Sequence, residues 1–174
     1  MAKGGEWERN VCKYLSKWIN GTENPYVFWR GAGSGACFTK NNLVGDRFAG
    51  DIYPVRDEGR FLTDRFVLEC KSGYKTATLD NHLKYNKKDF IREFWEQVVN
   101  DSIKTEKFPM LIFKKKGFPT PWLFISYDVY NKIKNNINSI RCVHIIYEKE
   151  LPDMYGFEYK EFFSIVTPDI IKEI

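Results

Sequence analysis

Apolar residues recur every third or fourth position through Trp7, Val11, Tyr14, Leu15 and Trp18, with polar residues between them. That period predicts an amphipathic helix, and Gly21 supplies its stop. The pattern then changes. Residues 26–30, Tyr-Val-Phe-Trp-Arg, form a β-type run that leads into a glycine-rich stretch at 31–36. Short extended runs follow at 50–55 and 66–71, and the polar residues 57–60 between them predict a turn joining the two as a hairpin. Phe90, Ile91, Phe94, Trp95, Val98 and Val99 return to helical spacing and predict a second helix over 87–104. Residues 109–114 and 122–126 read as strands, separated by a loop carrying the breakers Gly117, Pro119 and Pro121. A short polar helix is predicted at 127–135, a strand at 141–147, a turn at 153–156 and a last strand at 162–166. A short helix then opens on Pro168. This order predicts a single α/β (α+β) domain over residues 1–174, with a central mixed sheet flanked by helices.

Composition narrows the class. At 174 residues the chain suits one core. Hydrophobic residues at 43% and aromatic residues at 17% exclude a disordered chain. No apolar run approaches a membrane span and no signal-peptide pattern is present, so a cytoplasmic protein is expected, with no membrane partner. Cys12, Cys37, Cys70 and Cys142 are scattered, with no Cys-x-x-Cys pair, which argues against a zinc site. Cys12 and Cys70 are expected in the core. His82 and His144 do not form a ligand cluster; His144 is expected to be structural.

The chemistry sits in the two extended runs. Alternation along a strand puts Glu69 and Lys71 on one face and Cys70 on the other. Pairing with the run at 50–55 would bring Asp51 to the Glu69 face. Two carboxylates and an ammonium beside apolar sequence are costly to bury unless they pair or hold a cation. Mg²⁺ favours such oxygens and keeps several waters, and a lysine beside it can position an attacking water. Glu-x-Lys alone also fits a surface salt bridge on an amphipathic strand. Its company decides between the two readings.

With Gly4 to Glu8-Arg9 on the first helix, Arg30 before a Gly/Ser-rich loop, Asp51, and Glu69-x-Lys71, the chain resembles the PD-(D/E)xK nuclease superfamily. Within it, the likeness is to the archaeal-type and phage Holliday junction resolvases. The resemblance covers about residues 3–127 and leaves 128–174 as an extension without counterpart. It implies a restriction-endonuclease-like fold and a Mg²⁺-dependent endodeoxyribonuclease, with Mn²⁺ able to substitute. Asp51, Glu69 and the backbone carbonyl of Cys70 would hold the metal, and Glu8 would complete the site. Lys71 would position the water, and Gln97 would steady the lysine or the water. Gly50 stands where the superfamily often has proline, and Gly45-Asp46 is a second Gly-Asp pair. Asp51 is preferred because Ile52 and Val55 continue it as a strand. A resolvase cuts two symmetry-related strands, so a homodimer is implied. Other nucleases of the same scaffold (restriction, repair or packaging) remain open, as does a DNA-binding protein without catalysis, against which the intact Asp51, Glu69 and Lys71 argue.

Charge agrees with a DNA partner. The net charge is +4, but residues 148–174 hold seven acids and three bases, so residues 1–147 carry +8. Lys84, Lys87 and Lys88 form one basic cluster suited to phosphates and Lys114, Lys115 and Lys116 another, unless these are solvated faces. The glycine-rich loop lacks Gly-Lys-Ser/Thr and a following helix, so it is not a P-loop. The resemblance favours a DNA contact for Arg30 and Ser34.

Overall fold

A computed structural model describes residues 3–23, 25–31, 49–83, 88–147 and 151–174. The chain opens with α1 (Lys3–Asn20), β1 (Phe28–Arg30), β2 (Ile52–Pro54), α2 (Arg60–Thr63) and β3 (Phe66–Ser72). It continues with α3 (Phe90–Thr105), β4 (Phe108–Lys114), β5 (Trp122–Ser126) and α4 (Tyr127–Ile133). It closes with β6 (Cys142–Ile145), β7 (Met154–Glu158), α5 (Tyr159–Ile165) and α6 (Pro168–Lys172).

Five strands form one mixed sheet in the order β3-β4-β5-β7-β6. β3 and β4 are parallel, with α3 as their crossover, and the remaining neighbours are antiparallel. Side chains alternate between two cores. Phe66, Leu68, Cys70, Met110, Ile112, Leu123, Ile125 and Phe157 pack with α1, α4, α5 and α6. Val67, Leu111, Phe113, Phe124 and Met154 face α3, meeting Ile91, Phe94, Trp95, Val98 and Val99. A sheet covered on both faces explains why 110–113 reads as an unbroken apolar run. The fold is α+β and restriction-endonuclease-like.

The helix ends obey local chemistry. Gly21 takes φ +73 and its N–H returns to Lys17 O at 2.7 Å, closing α1. Asp89 caps α3 by accepting from Arg92 N at 3.0 Å.

Three sequence expectations are corrected. The runs at 50–55 and 66–71 do not form a hairpin: β2 pairs with β1 in a separate two-stranded sheet, and a 3-10 turn plus α2 fill the connection. Residues 153–156 are not a turn, because β7 starts at Met154 and lies between β5 and β6. Gly156 imitates a turn signal, yet its missing side chain makes room for the Phe124 ring, which would stand 2.5 Å from a Cβ there. Residues 162–166 are not a strand. Tyr159, Phe162 and Phe163 are buried at helical spacing on α5, and the buried Val166 follows as its C-cap.

Candidate active site

The site is assembled on the open edge of β3. Asp51 arrives there through two backbone contacts: its N–H donates to Leu68 O at 2.8 Å, and its carbonyl accepts from Gly31 N at 2.9 Å. Its Oδ2 accepts the Cys70 N–H at 2.8 Å. N–H and C=O of one residue in an extended strand point to the same edge, so the Cys70 carbonyl also lies on Asp51's side. Gly50 makes this approach possible. It sits at φ +100, where proline cannot go, and a Cβ would lie 2.8 Å from Leu68 O.

Glu69 and Lys71 share the α3 face of β3, as alternation requires. Lys71 Nζ is 2.5 Å from Glu69 Oε1 and 5.6 Å from the Phe94 ring centroid. Gln97, on α3, donates from Nε2 to the same Glu69 oxygen at 3.0 Å. From α1, Glu8 comes to within 3.1 Å of Arg30 Nε. Gly5, one turn earlier, is bare where Arg30 crosses: a Cβ there would meet Nη1 at 2.4 Å.

Burial sets the electrostatics. Glu8, Asp51 and Glu69 are 5%, 8% and 5% exposed, among the few buried charged residues. Burial, reinforced by the Glu69 charge, pushes the Asp51 carboxyl up to about 7, against the pull of the Cys70 N–H and Lys71. Burial also raises Glu69, despite its contact with Lys71. For Lys71 the desolvation cost is outweighed by Glu69 and Asp51, so its pKa rises and it stays an ammonium at neutral pH. Tyr53 is pushed up to about 12 by burial and by the Asp51 and Glu69 charges.

Three buried carboxylates set against Lys71 and Arg30 leave surplus negative charge. Among the described residues, no group of three or more His, Cys, Asp or Glu side chains is preformed as a metal cage. Glu8, Asp51 and Glu69 offer oxygen atoms, the donor type that hard divalent cations favour.

The structure therefore brings Glu8, Arg30, Asp51, Glu69, Cys70, Lys71 and Gln97 together. Arg30 is half-buried and engaged with Glu8 at the cluster. Lys88 is exposed and pairs with Glu93 at 3.3 Å. Ser34, Lys84, Lys87 and the Gly45-Asp46 pair lie outside the described residues. His144 is structural as expected, bonded to Asp153 at 3.1 Å and stacked on Tyr155. Gly5 and Tyr53 have no role in the sequence reading, and Gly50 enters it only as the residue in proline's place. The steric need for glycine, beside the half-buried Arg30 at Gly5 and at the β3 edge at Gly50, exists only in three dimensions.

No helix among the described residues is long and apolar enough to cross a membrane. No curated protein and no solved structure matches the chain. The model of one family, described as "Phage putative PDDEXK endonuclease", matches residues 1–172. Given that near-complete match and the acid–lysine cluster on β3, the chain belongs to this phage PDDEXK endonuclease family.

Proposed function

We propose that this protein is a Mg²⁺-dependent, structure-selective DNA endonuclease that resolves four-way junctions as a homodimer. The observation that carries the hydrolytic part is the convergence of Asp51, Glu69 and Lys71 at one strand edge, with Glu8 beside them. Asp51 and Glu69 would hold the cation, with the Cys70 carbonyl and Glu8 in support; Mn²⁺ would substitute. Such an ion, when bound, lowers the pKa of water and offsets charge on the phosphate.

The chain's own groups do the rest. Lys71 would donate to the attacking water or to the phosphate oxygens where charge develops. Gln97 holds the Glu69 carboxylate from α3, which keeps Glu69 and Lys71 in a fixed relation. Arg30 neutralises Glu8 and fixes the first helix against the site. The substrate reading rests on the excess of +8 in residues 1–147, on Lys84, Lys87 and Lys88 as phosphate contacts, and on the likeness to junction resolvases across residues 3–127. One nuclease domain would perform both steps, with 128–174 shaping substrate choice, and it would act in the host-cell cytoplasm where phage DNA is processed.

Cleavage of labelled four-way junction, flap and plain duplex in Mg²⁺ tests this. Paired nicks on opposing junction strands are expected, with Asp51→Asn and Glu69→Gln inactive but still binding DNA. Equal cutting of plain duplex would replace the resolvase reading with a restriction, repair or packaging nuclease. Cutting by either variant near the parent rate would overturn the site assignment.

A further inference from the structure

The hairpin joining β4 to β5 is a second basic and aromatic feature close to the cluster, and hydrolysis gives it no task. Its tip carries Lys115, Lys116, Gly117 at φ +85 and Phe118. Phe118 is 55% exposed, the one phenylalanine among the exposed large apolar side chains of the described residues. Lys115 Nζ lies 4.3 Å from its ring centroid. The tip is held in place: Lys116 N donates to Tyr74 O at 3.2 Å, and Phe118 N to Lys115 O at 3.2 Å. Tyr74 is three residues beyond Lys71, so this backbone bond ties the hairpin tip to the segment that follows the Lys71 strand.

Two clefts flank the hairpin. One, of about 280 Å³, runs between Trp7, Ser72, Gly73 and Lys114 to Lys116, with Glu6 as the acid among its described lining residues. The other, of about 290 Å³, is mostly apolar and lies between Leu79, Ile91, Phe113, Phe118 and Trp122. Lys115 lines both. A cationic cleft next to an exposed aromatic is the chemistry of single-stranded nucleic-acid binding: ammonium groups follow the backbone and a ring face takes a base.

We propose that the β4–β5 hairpin grips DNA beside the cut, with Lys115 and Lys116 on backbone phosphates and Phe118 stacked on a base that is unpaired, or opened on binding, at a branch point. This rests on the nuclease reading above and adds the element that distinguishes branched from paired DNA. On binding, Lys115 exchanges the Phe118 ring for a phosphate and leaves the ring face to the base.

The test is equilibrium binding in EDTA, which prevents cutting, with labelled four-way junction, forked duplex and fully paired duplex across a NaCl series. Because Phe118 and Lys116 are exposed, melting temperatures of the variants are expected to equal the parent's. Lys115→Ala with Lys116→Ala should reduce the log–log salt slope by about two units on every DNA, roughly one per phosphate contact. Phe118→Ala should weaken junction and fork binding by about tenfold, the usual scale of base–aromatic stacking. It should leave paired duplex unchanged, and Phe118→Trp should restore binding. An unchanged slope in the lysine variant overturns the proposal, and so does a Phe118→Ala effect that is absent or equal on all three DNAs. Parent cleavage in Mg²⁺, run alongside, keeps the two readings apart. A parent that cuts while the variants bind like it removes the hairpin role alone; a parent that neither binds nor cuts removes the nuclease reading.

Discussion

Asp51 is held as a buried carboxyl beside Glu69 and pushed up to about 7 from 3.8. A carboxyl whose pKa is raised on folding binds its proton more tightly in the native state. Its contribution is full below the unfolded value and disappears as pH rises through 7. The metal-free protein is therefore expected to lose stability from about pH 4 to pH 7, by at most a few kcal/mol. Asp51→Asn keeps an oxygen for the Cys70 N–H and removes the charge. In EDTA at pH 8 this variant should melt above the parent, and its stability should fall less between pH 5 and 8. Mg²⁺ should raise the parent's melting temperature and leave the variant's unmoved. A variant that melts below the parent at pH 8 contradicts an uncompensated charge at this position. Gly5 is the second residue-scale test. Alanine there favours α1 by about 0.5–1 kcal/mol through helix propensity, yet its Cβ collides with the Arg30 guanidinium. Gly5→Ala should melt below the parent, because moving Arg30 away from the buried Glu8 outweighs that gain, and it should cut DNA at least about tenfold more slowly. Parent-like cutting would show that Arg30 and Glu8 need no such clearance.

The elements show where local signals compete. α1 and α3 carry long apolar stripes with clear ends, so their periodicity is visible in the chain itself. β3, β4 and β5 are visible as dense β-branched and aromatic runs. β7 is not, because Asp153 and Gly156 imitate a turn. The sheet needs glycine at 156, since the Phe124 ring from β5 occupies the place of a side chain. Gly156→Ala should therefore destabilise the protein by about 1–3 kcal/mol through overpacking in a closed core. Thermal melting checks this, and an unchanged midpoint would mean that Phe124 can turn aside freely. α5 is hidden for the opposite reason. Its aromatic residues favour strands intrinsically, but Tyr159, Phe162, Phe163 and Val166 must all face one core, which only a helical turn achieves.

At the scale of the whole molecule, the cluster lies at β3, one edge of the sheet, and β6 forms the other. A resolvase must present two such clusters to a two-fold symmetric junction. Light scattering at micromolar concentration should report a dimer, and junction cleavage should give paired nicks. A strict monomer that cuts duplex as fast as junctions would remove the resolvase reading and leave the metal-dependent nuclease in place.

The sequence by itself determined the ingredients of this protein. Helical and strand periods, Gly21 as a helix stop and the alternation of Glu69, Cys70 and Lys71 follow from chain geometry that operates over a few residues, so they are legible without a fold. Asp51, Glu69 and Lys71 stand in apolar runs, and the order of motifs that resembles the PD-(D/E)xK nucleases singled them out. Tertiary structure decided how they meet. The expected hairpin would have delivered Asp51 through a strand ladder. In the structure a single peptide, bent at Gly50, docks on the β3 edge instead, and only the long-range contact with Leu68 and Cys70 specifies it. The Arg30–Glu8 pair, Gly5 beneath it and the phenol of Tyr53 likewise depend on elements far apart in sequence. Burial is the physical reason for the difference: it is a property of the packed molecule, and it takes three carboxylates out of water beside Lys71 and Arg30.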